Sequence, residues 1–410
     1  MPTKDFPLLS CAAFAYLDSS ATAQKPQSVI DAVTNFYVHD NANPYRSLYP
    51  LAERATEAYE AARGSIAKFI GAKTPSCLAF TSGTTMSINV VAHAWAKKNL
   101  QKGDTILSTI MEHHANIVPW QNITGCDSGL DLQLINMYDN GILDLEDMEA
   151  RFKIFNVKLV CVTHVSNVLG TLNPIKEIVK MAHRYKAAVL VDGAQAIGHM
   201  PVNVSRLGVD FYAFSGHKML GPMGSGGLYI APQRHAEMGI MFAGGDMISR
   251  VTKKKAWFKP VPYRLEAGTQ SVADIIGLEA ATEYLNNFPN GLKGVKTYIN
   301  QLGKYAWKKL KKIPNIKLLG PGPGKDWASS VISFTFDHDG ASNGERIKNQ
   351  DLATELGKHG IYVRSGLFCA QPLIEERLGL KGAVRVSLHL YNTVSDIDRL
   401  IEQLLLITKK

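Results

Sequence analysis

The chain has 410 residues, 46% of them hydrophobic and 20% charged, with a formal net charge of +9. This length suits two domains rather than one small core, and the composition is that of an ordinary globular protein. No apolar run reaches the roughly 18 residues of a membrane span, so a bilayer role is not expected.

The amino terminus, Met1-Pro2-Thr3-Lys4-Asp5-Phe6, has no signal-peptide core, which fits a cytoplasmic protein. The five cysteines (Cys11, Cys77, Cys126, Cys161 and Cys369) are scattered without a CxxC pair. That spacing speaks against a zinc site or a disulfide framework and for a reducing compartment. From about residue 75 to 230, apolar runs alternate with helical patterns. Strands are predicted at Cys77–Phe80, Thr105–Ser108, Gln133–Met137, Leu159–Thr163, Ala188–Val191, Phe211–Phe214 and Gly227–Ile230. Helices are predicted over 84–98, 114–121, 144–153, 175–186 and 203–207. Alternation of this kind means an α/β fold, a mostly parallel seven-stranded sheet covered by helices.

The span 239–269 has little regular pattern and reads as a long functional loop. Helical spacing returns over 271–286. After Asn290-Gly291 the pattern changes to a basic helix over 292–311, a strand at Val331–Phe336, a helix over 347–358, a strand at Ile361–Arg364, a strand over 384–388 and a helix over 395–407. These form a smaller α+β unit. The division is therefore 26–290 for the large domain and 291–410 for the small one. The lysine runs Lys253-Lys254-Lys255, Lys308-Lys309-Leu310-Lys311-Lys312 and Lys409-Lys410 read as solvated faces. No nucleic-acid-binding motif accompanies them.

Three strand exits carry chemistry. The first, Phe211-Tyr212-Ala213-Phe214-Ser215-Gly216-His217-Lys218, presents a lysine from a buried strand into a glycine-rich loop. Partial burial keeps such an amine neutral enough to form a Schiff base. The second, Val189-Leu190-Val191-Asp192-Gly193-Ala194-Gln195, ends in an aspartate at the edge where α/β sheets bind ligands. An acid and a lysine placed so are what pyridoxal phosphate needs, the acid for its ring nitrogen and the lysine for its aldehyde. The third runs from Leu78-Ala79-Phe80 through Thr81-Ser82-Gly83-Thr84-Thr85, where small hydroxyl residues open a helix. Such a start offers N–H and O–H donors to a phosphate, with Thr84 or Thr85 adding side-chain donors.

With these in place the chain resembles a fold-type I pyridoxal phosphate enzyme of the class V aminotransferase group. Within it, the likeness is to the group II (SufS-type) cysteine desulfurases and their selenocysteine lyase relatives. The matching stretches are Tyr16-Leu17-Asp18-Ser19, Gln24-Lys25-Pro26, Met111-Glu112-His113-His114-Ala115-Asn116, Thr163-His164-Val165-Ser166-Asn167, Val191-Asp192-Gly193-Ala194-Gln195, Ser215-Gly216-His217-Lys218 and Glu266-Ala267-Gly268-Thr269. They cover nearly the whole chain in family order.

The resemblance implies a set of roles. Lys218 carries the cofactor and Asp192 pairs with its ring nitrogen. His113 stacks on the ring, a place for which His114 is the competitor. Asn167 and Gln195 reach the ring hydroxyl, and Asn167 the substrate as well. Ser215 and His217 bind the phosphate, as does Thr269 from a neighbouring subunit, which implies a homodimer. Arg385 grips the substrate carboxylate, and Arg364 orients the substrate or pairs within its domain. Cys369 is the nucleophile that takes sulfur from L-cysteine as a persulfide, leaving L-alanine. L-selenocysteine is a further substrate of the family, iron–sulfur cluster assembly its usual destination, and a sulfur-acceptor protein its usual partner. Residues 1–25 are expected to fold back onto the small domain.

The chain departs from the family where Leu367-Phe368 replaces a usual His-His pair before Cys369. A second departure is Tyr45-Arg46-Ser47-Leu48-Tyr49, where a histidine is usual, and a third is Gln270-Ser271 after Thr269. A different class V reaction (transaminase, lyase or epimerase) and a non-catalytic scaffold remain the competing readings.

Overall fold

The computed structural model describes residues 2–11, 13–45, 47–125, 127–336 and 348–408. Cys126, Arg46, Lys409-Lys410 and the first position of the helix expected from 347 lie outside them. Seven strands form the main sheet: β1 (Leu78–Thr81), β2 (Thr105–Thr109), β3 (Asp131–Ile135), β4 (Val157–Thr163), β5 (Ala188–Asp192), β6 (Phe211–Ser215) and β7 (Gly226–Ile230). Their spatial order is β1-β7-β6-β5-β4-β2-β3. Only β7 runs antiparallel, to both of its neighbours. Strands β5, β6 and β7 are buried at every residue, as strands covered on both faces must be.

Helices close both faces. Ile175–Arg184 buries Ile175, Ile178, Val179 and Ala182, the i, i+3, i+4, i+7 stripe of an amphipathic helix. Leu145–Ile154 starts at Asp144, whose carboxylate accepts the Glu146 and Asp147 N–H groups, a strong N-cap. A second sheet holds β8 (Ile316–Leu319), β9 (Val331–Phe336), β10 (Arg364–Gly366) and β11 (Ala383–Ser387) in the order β8-β9-β11-β10. All its pairings are antiparallel. Helices Gly291–Leu310, Asn349–Lys358 and Val394–Thr408 bury apolar faces into one cluster with this sheet. Ala15–Tyr16 pairs in parallel with Ile361–Tyr362, and the Ser387 N–H donates to Leu17 O at 2.8 Å.

Several features differ from the sequence expectation, among them β8, which no expected strand covered, and β3, which begins two residues before the expected Gln133. Residues 27–69, for which no element was expected, form helices Gln27–Asn35 and Pro50–Phe69. The second buries chiefly alanines, and so small an apolar stripe gives a weak periodic signal. The helix expected over 84–98 widens to a π turn at Val91–Ala96. The expected loop 239–269 contains a hairpin, Ile248–Val251 against Ala256–Phe258. The strand expected at Ile361–Arg364 divides, its first half pairing with Ala15–Tyr16 and its second half forming β10.

Candidate active site

One cavity of about 560 Å³ lies at the carboxyl edge of the main sheet, where β1, β2, β4, β5 and β6 all end. Ligands of open α/β sheets bind at that edge. Its walls include Lys218 and Asp192 from the sheet, Arg364, Cys369 and Arg385 from the smaller unit, and Ser20–Thr22 from the amino-terminal segment.

Lys218 leaves β6 in a single 3-10 turn. Burial lowers its pKa; Asp192 opposes that shift and Arg385 adds to it. Asp192 is the last residue of β5 and is almost wholly buried. Burial raises its pKa, while the Ala194 N–H, donating at 2.9 Å to Oδ1, and the Lys218 charge lower it. Each group thus tends toward its neutral form and is held back by the other. A cationic ring nitrogen brought beside Asp192 would favour the carboxylate.

Anion donors gather around the turn after β1. The Ser215 Oγ accepts the Thr84 N–H at 2.8 Å and shares a proton with Thr84 Oγ1 at 2.8 Å. Thr85 and His217 line the same wall. Here β7 passes directly beneath the turn: a Cβ on Gly226 would lie 2.6 Å from Gly83 Cα. Glycine at 226 is therefore required for the cradle to form. Burial, then the charges of Lys218 and Lys25, push the His217 pKa down to about 4.

His113 caps a 3-10 turn by accepting the Ala115 N–H at Nδ1, 3.0 Å away. Its remaining proton therefore sits on Nε2. Burial, then Lys218, His114 and Arg385, depress its pKa to about 3, so it is a neutral, flat ring at any ordinary pH. Gln195 donates to Ser20 O at 3.0 Å, but its amide oxygen is buried with no partner. Asn167 donates to Phe368 O at 2.9 Å.

Arg385 is buried and receives no fork–fork partner. It donates from Nη1 to Asn167 O at 3.1 Å and from Nη2 to Asp18 Oδ1 at 3.3 Å, and its Nε is buried without a partner. Burial lowers its pKa to about 10 despite Asp18, a cost that a substrate carboxylate would relieve. Arg364 is exposed and donates to Asp18 Oδ2 at 3.2 Å. Cys369 is an exposed thiol on the same cavity. Phe368, in the place of an expected imidazole, is buried with its ring 4.9 Å from the Arg385 guanidinium carbon.

The donor set fits pyridoxal phosphate on grounds internal to this chain. A hydroxyl cradle suits the phosphate, a buried acid the ring nitrogen, a neutral imidazole the ring face, and the orphaned Gln195 oxygen a ring hydroxyl. Thr269 stands apart from the others. It is exposed and lines two smaller neighbouring clefts rather than the cavity of its own chain. Among the described residues no cluster of His, Cys, Asp or Glu could hold a metal ion.

Two residues were given no role at the sequence level. Asp18 ties both arginines together, and its position within Tyr16-Leu17-Asp18-Ser19 was the available signal. Glu112 is fully buried beneath the cavity, accepting from Thr109 Oγ1, the Thr163 N–H and Asn116 Nδ2 at 2.6, 2.9 and 2.7 Å. Burial nevertheless pushes its pKa up to about 8. It locks the segment bearing His113 to the end of β4.

The model of a family described as aminotransferase class-V matches residues 15–400. A probable cysteine desulfurase of Mycolicibacterium paratuberculosis is 43% identical over 398 residues, which are 96% of this chain and 56% of that protein. This chain thus spans little more than half of that relative's length. A cysteine desulfurase of Salmonella agona is 42% identical over 404 residues, covering 97% of this chain and 95% of that one. Among solved structures, an apo cysteine desulfurase from Thermococcus onnurineus NA1 superposes with a TM-score of 0.92 at 36% identity, covering 99% of this chain and 97% of that chain.

Proposed function

The chain belongs to the aminotransferase class-V family, and from that premise we propose that it is a pyridoxal phosphate-dependent cysteine desulfurase that converts L-cysteine to L-alanine and carries the sulfur on Cys369. The observation that carries this reading is the exposed Cys369 thiol on the same cavity wall as Lys218, Asp192 and Arg385. When bound, pyridoxal phosphate supplies an aldehyde and an electron-withdrawing ring that takes up charge from the substrate carbon.

The residues of the chain do the rest. Arg385 receives the substrate carboxylate, with Asp18 setting the guanidinium plane. Lys218, its amine biased toward the neutral form, takes the proton from the substrate α carbon and returns it. His113, fixed by the Ala115 N–H, covers the ring face and keeps a proton at Nε2. The Cys369 thiolate then attacks the substrate sulfur. An S–S bond forms and the C–S bond breaks, its electron pair remaining on the β carbon, which is protonated to complete alanine. Cys369 keeps one sulfur as a persulfide, and no external oxidant or reductant is consumed.

The exposed Thr269 supports a homodimer in which that residue completes the partner's phosphate site. Exposed apolar side chains at Leu48, Tyr49, Met223 and Phe242 support the same arrangement. Delivery of the persulfide sulfur to an acceptor protein, for iron–sulfur cluster assembly, and use of L-selenocysteine belong to this reading. No described helix is long and apolar enough to cross a membrane.

The test is to incubate the loaded enzyme with L-cysteine, measure alanine and sulfide, and map an alkylated persulfide by peptide mass. Alanine is expected, with the extra sulfur on Cys369. Cys369→Ala should keep the cofactor and lose desulfuration. Full activity in that variant, or a persulfide mapped only to another cysteine, would remove Cys369 from the role of sulfur carrier; no alanine from L-cysteine in the parent would transfer the assignment to another class V reaction.

A further inference from the structure

Cys369 stands on a turn with unusual backbone geometry. Phe368 and Cys369 have φ of 52° and 53°, a left-handed conformation that residues with a Cβ adopt at a steric cost. Two such residues in succession persist only when their surroundings hold them. Asn167 holds one side, donating to Phe368 O. The Ala370 N–H closes the turn on Leu367 O at 2.9 Å.

The other side is held by His114. Its backbone N–H donates to Cys369 O at 2.7 Å. Its imidazole Nε2 accepts the Gln371 N–H at 3.1 Å. The two bonds bracket the thiol, one at its own carbonyl and one two residues on. Leu367-Phe368 stand where imidazoles are usual within this turn, and among the described residues the imidazole bonded to the turn is that of His114, from the segment after β2.

We infer that His114 is a positioning residue for Cys369: by accepting the Gln371 N–H at Nε2, its ring fixes the turn in the conformation that presents the thiol to the cavity. The inference rests on the desulfurase reading above. Its ring touches the turn rather than the reacting atoms, so its effect is on geometry. Burial holds its pKa below the ordinary histidine value, which leaves the Nε2 lone pair free to accept at neutral pH. The neighbouring His113 ring lies 6.3 Å away, centroid to centroid, and is committed to its own Ala115 bond.

Two substitutions separate this role from mere packing. His114→Leu fills the space and removes the acceptor; His114→Gln restores an acceptor oxygen near the position of Nε2. In the loaded enzyme, His114→Leu should lower kcat for alanine formation from L-cysteine roughly three- to tenfold, the range spanned by one lost hydrogen bond, with KM unchanged. It should also speed hydrogen exchange at the Gln371 amide, read by peptide mass in protein with and without cofactor. His114→Gln should bring both readouts back toward native. Native exchange and native kcat in His114→Leu would overturn the inference, as would a His114→Gln variant that melts normally yet behaves like His114→Leu. These results leave the desulfurase reading standing. That reading fails separately, and takes this inference with it, if Cys369→Ala desulfurates cysteine at the native rate.

Discussion

Asp192 and Lys218 illustrate how burial and pairing compete at single residues. Each is pushed toward neutrality by desolvation and pulled back by the other's charge. With a cationic ring nitrogen in place, the carboxylate would gain a charge-assisted hydrogen bond of about 1.5–3 kcal/mol. Asp192→Asn keeps the shape and loses the charge, so cofactor affinity should fall roughly ten- to hundredfold, measured by titrating cofactor into the apoprotein and following absorbance. Native affinity in that variant would remove Asp192 from the role. Both residues were legible in the sequence because each sits at the exit of an apolar strand, a local pattern. The work of Asp18 was not, since the arginines it holds lie 346 and 367 residues away.

At the scale of elements, the helix Pro50–Phe69 is tied to the main sheet by a buried ion pair. Arg63 donates to Glu266 at 2.6 and 2.8 Å and to Leu78 O at 2.9 Å, and Glu266 also accepts the Phe80 N–H at 2.8 Å. Glu266 opens the Glu-Ala-Gly-Thr segment, so the same pair sets where Thr269 emerges. Arg63→Met would leave the buried Glu266 charge without its cation, with the Phe80 N–H and the Tyr59 hydroxyl still donating to it, and should cost about 3–5 kcal/mol. Adding Glu266→Gln should recover part of that loss. Chemical denaturation of the two variants measures both values, and a single variant as stable as the parent would show that the pair does not carry the junction. The helix itself escaped sequence reading because alanines line its buried face. The strands of the main sheet did not escape, because short apolar runs such as Ala188–Val191 and Phe211–Phe214 lie between turn residues.

Over the whole molecule, buried imidazoles govern the response to acid. His164 and His199 are almost wholly buried, with pKa values pushed down to about 4, and His389 lies well below its ordinary value, burial being the main cause in each. Unfolding exposes them to protonation near pH 6.5. The unfolded state therefore binds more protons than the folded one between about pH 6.5 and 4, and stability is lost as pH falls through that window. Each such group contributes up to about 1.4 kcal/mol per pH unit in that window; His113 and His217 act in the same direction and Glu112 in the opposite one. Stability should fall between about pH 6.0 and 5.0, read from denaturant midpoints, and a flat profile would contradict the neutral burial of these imidazoles. The division of the chain at 290, by contrast, was read from a change of pattern, and the return of residues 1–25 to the small domain came from the family resemblance alone, because that contact joins residues from opposite ends of the sequence. The pairing of Ala15–Tyr16 with Ile361–Tyr362 has a consequence for biosynthesis. On the ribosome, Ala15–Tyr16 wait for their strand partner until more than three hundred further residues have been translated. A nascent chain can complete the main sheet, and with it the lysine and the phosphate cradle, while Arg385 and Cys369 are still unmade or in the exit tunnel. On the proposed reading, the Cys369 thiol thus joins a site whose cofactor half is already built, so capture of the cofactor can precede desulfuration.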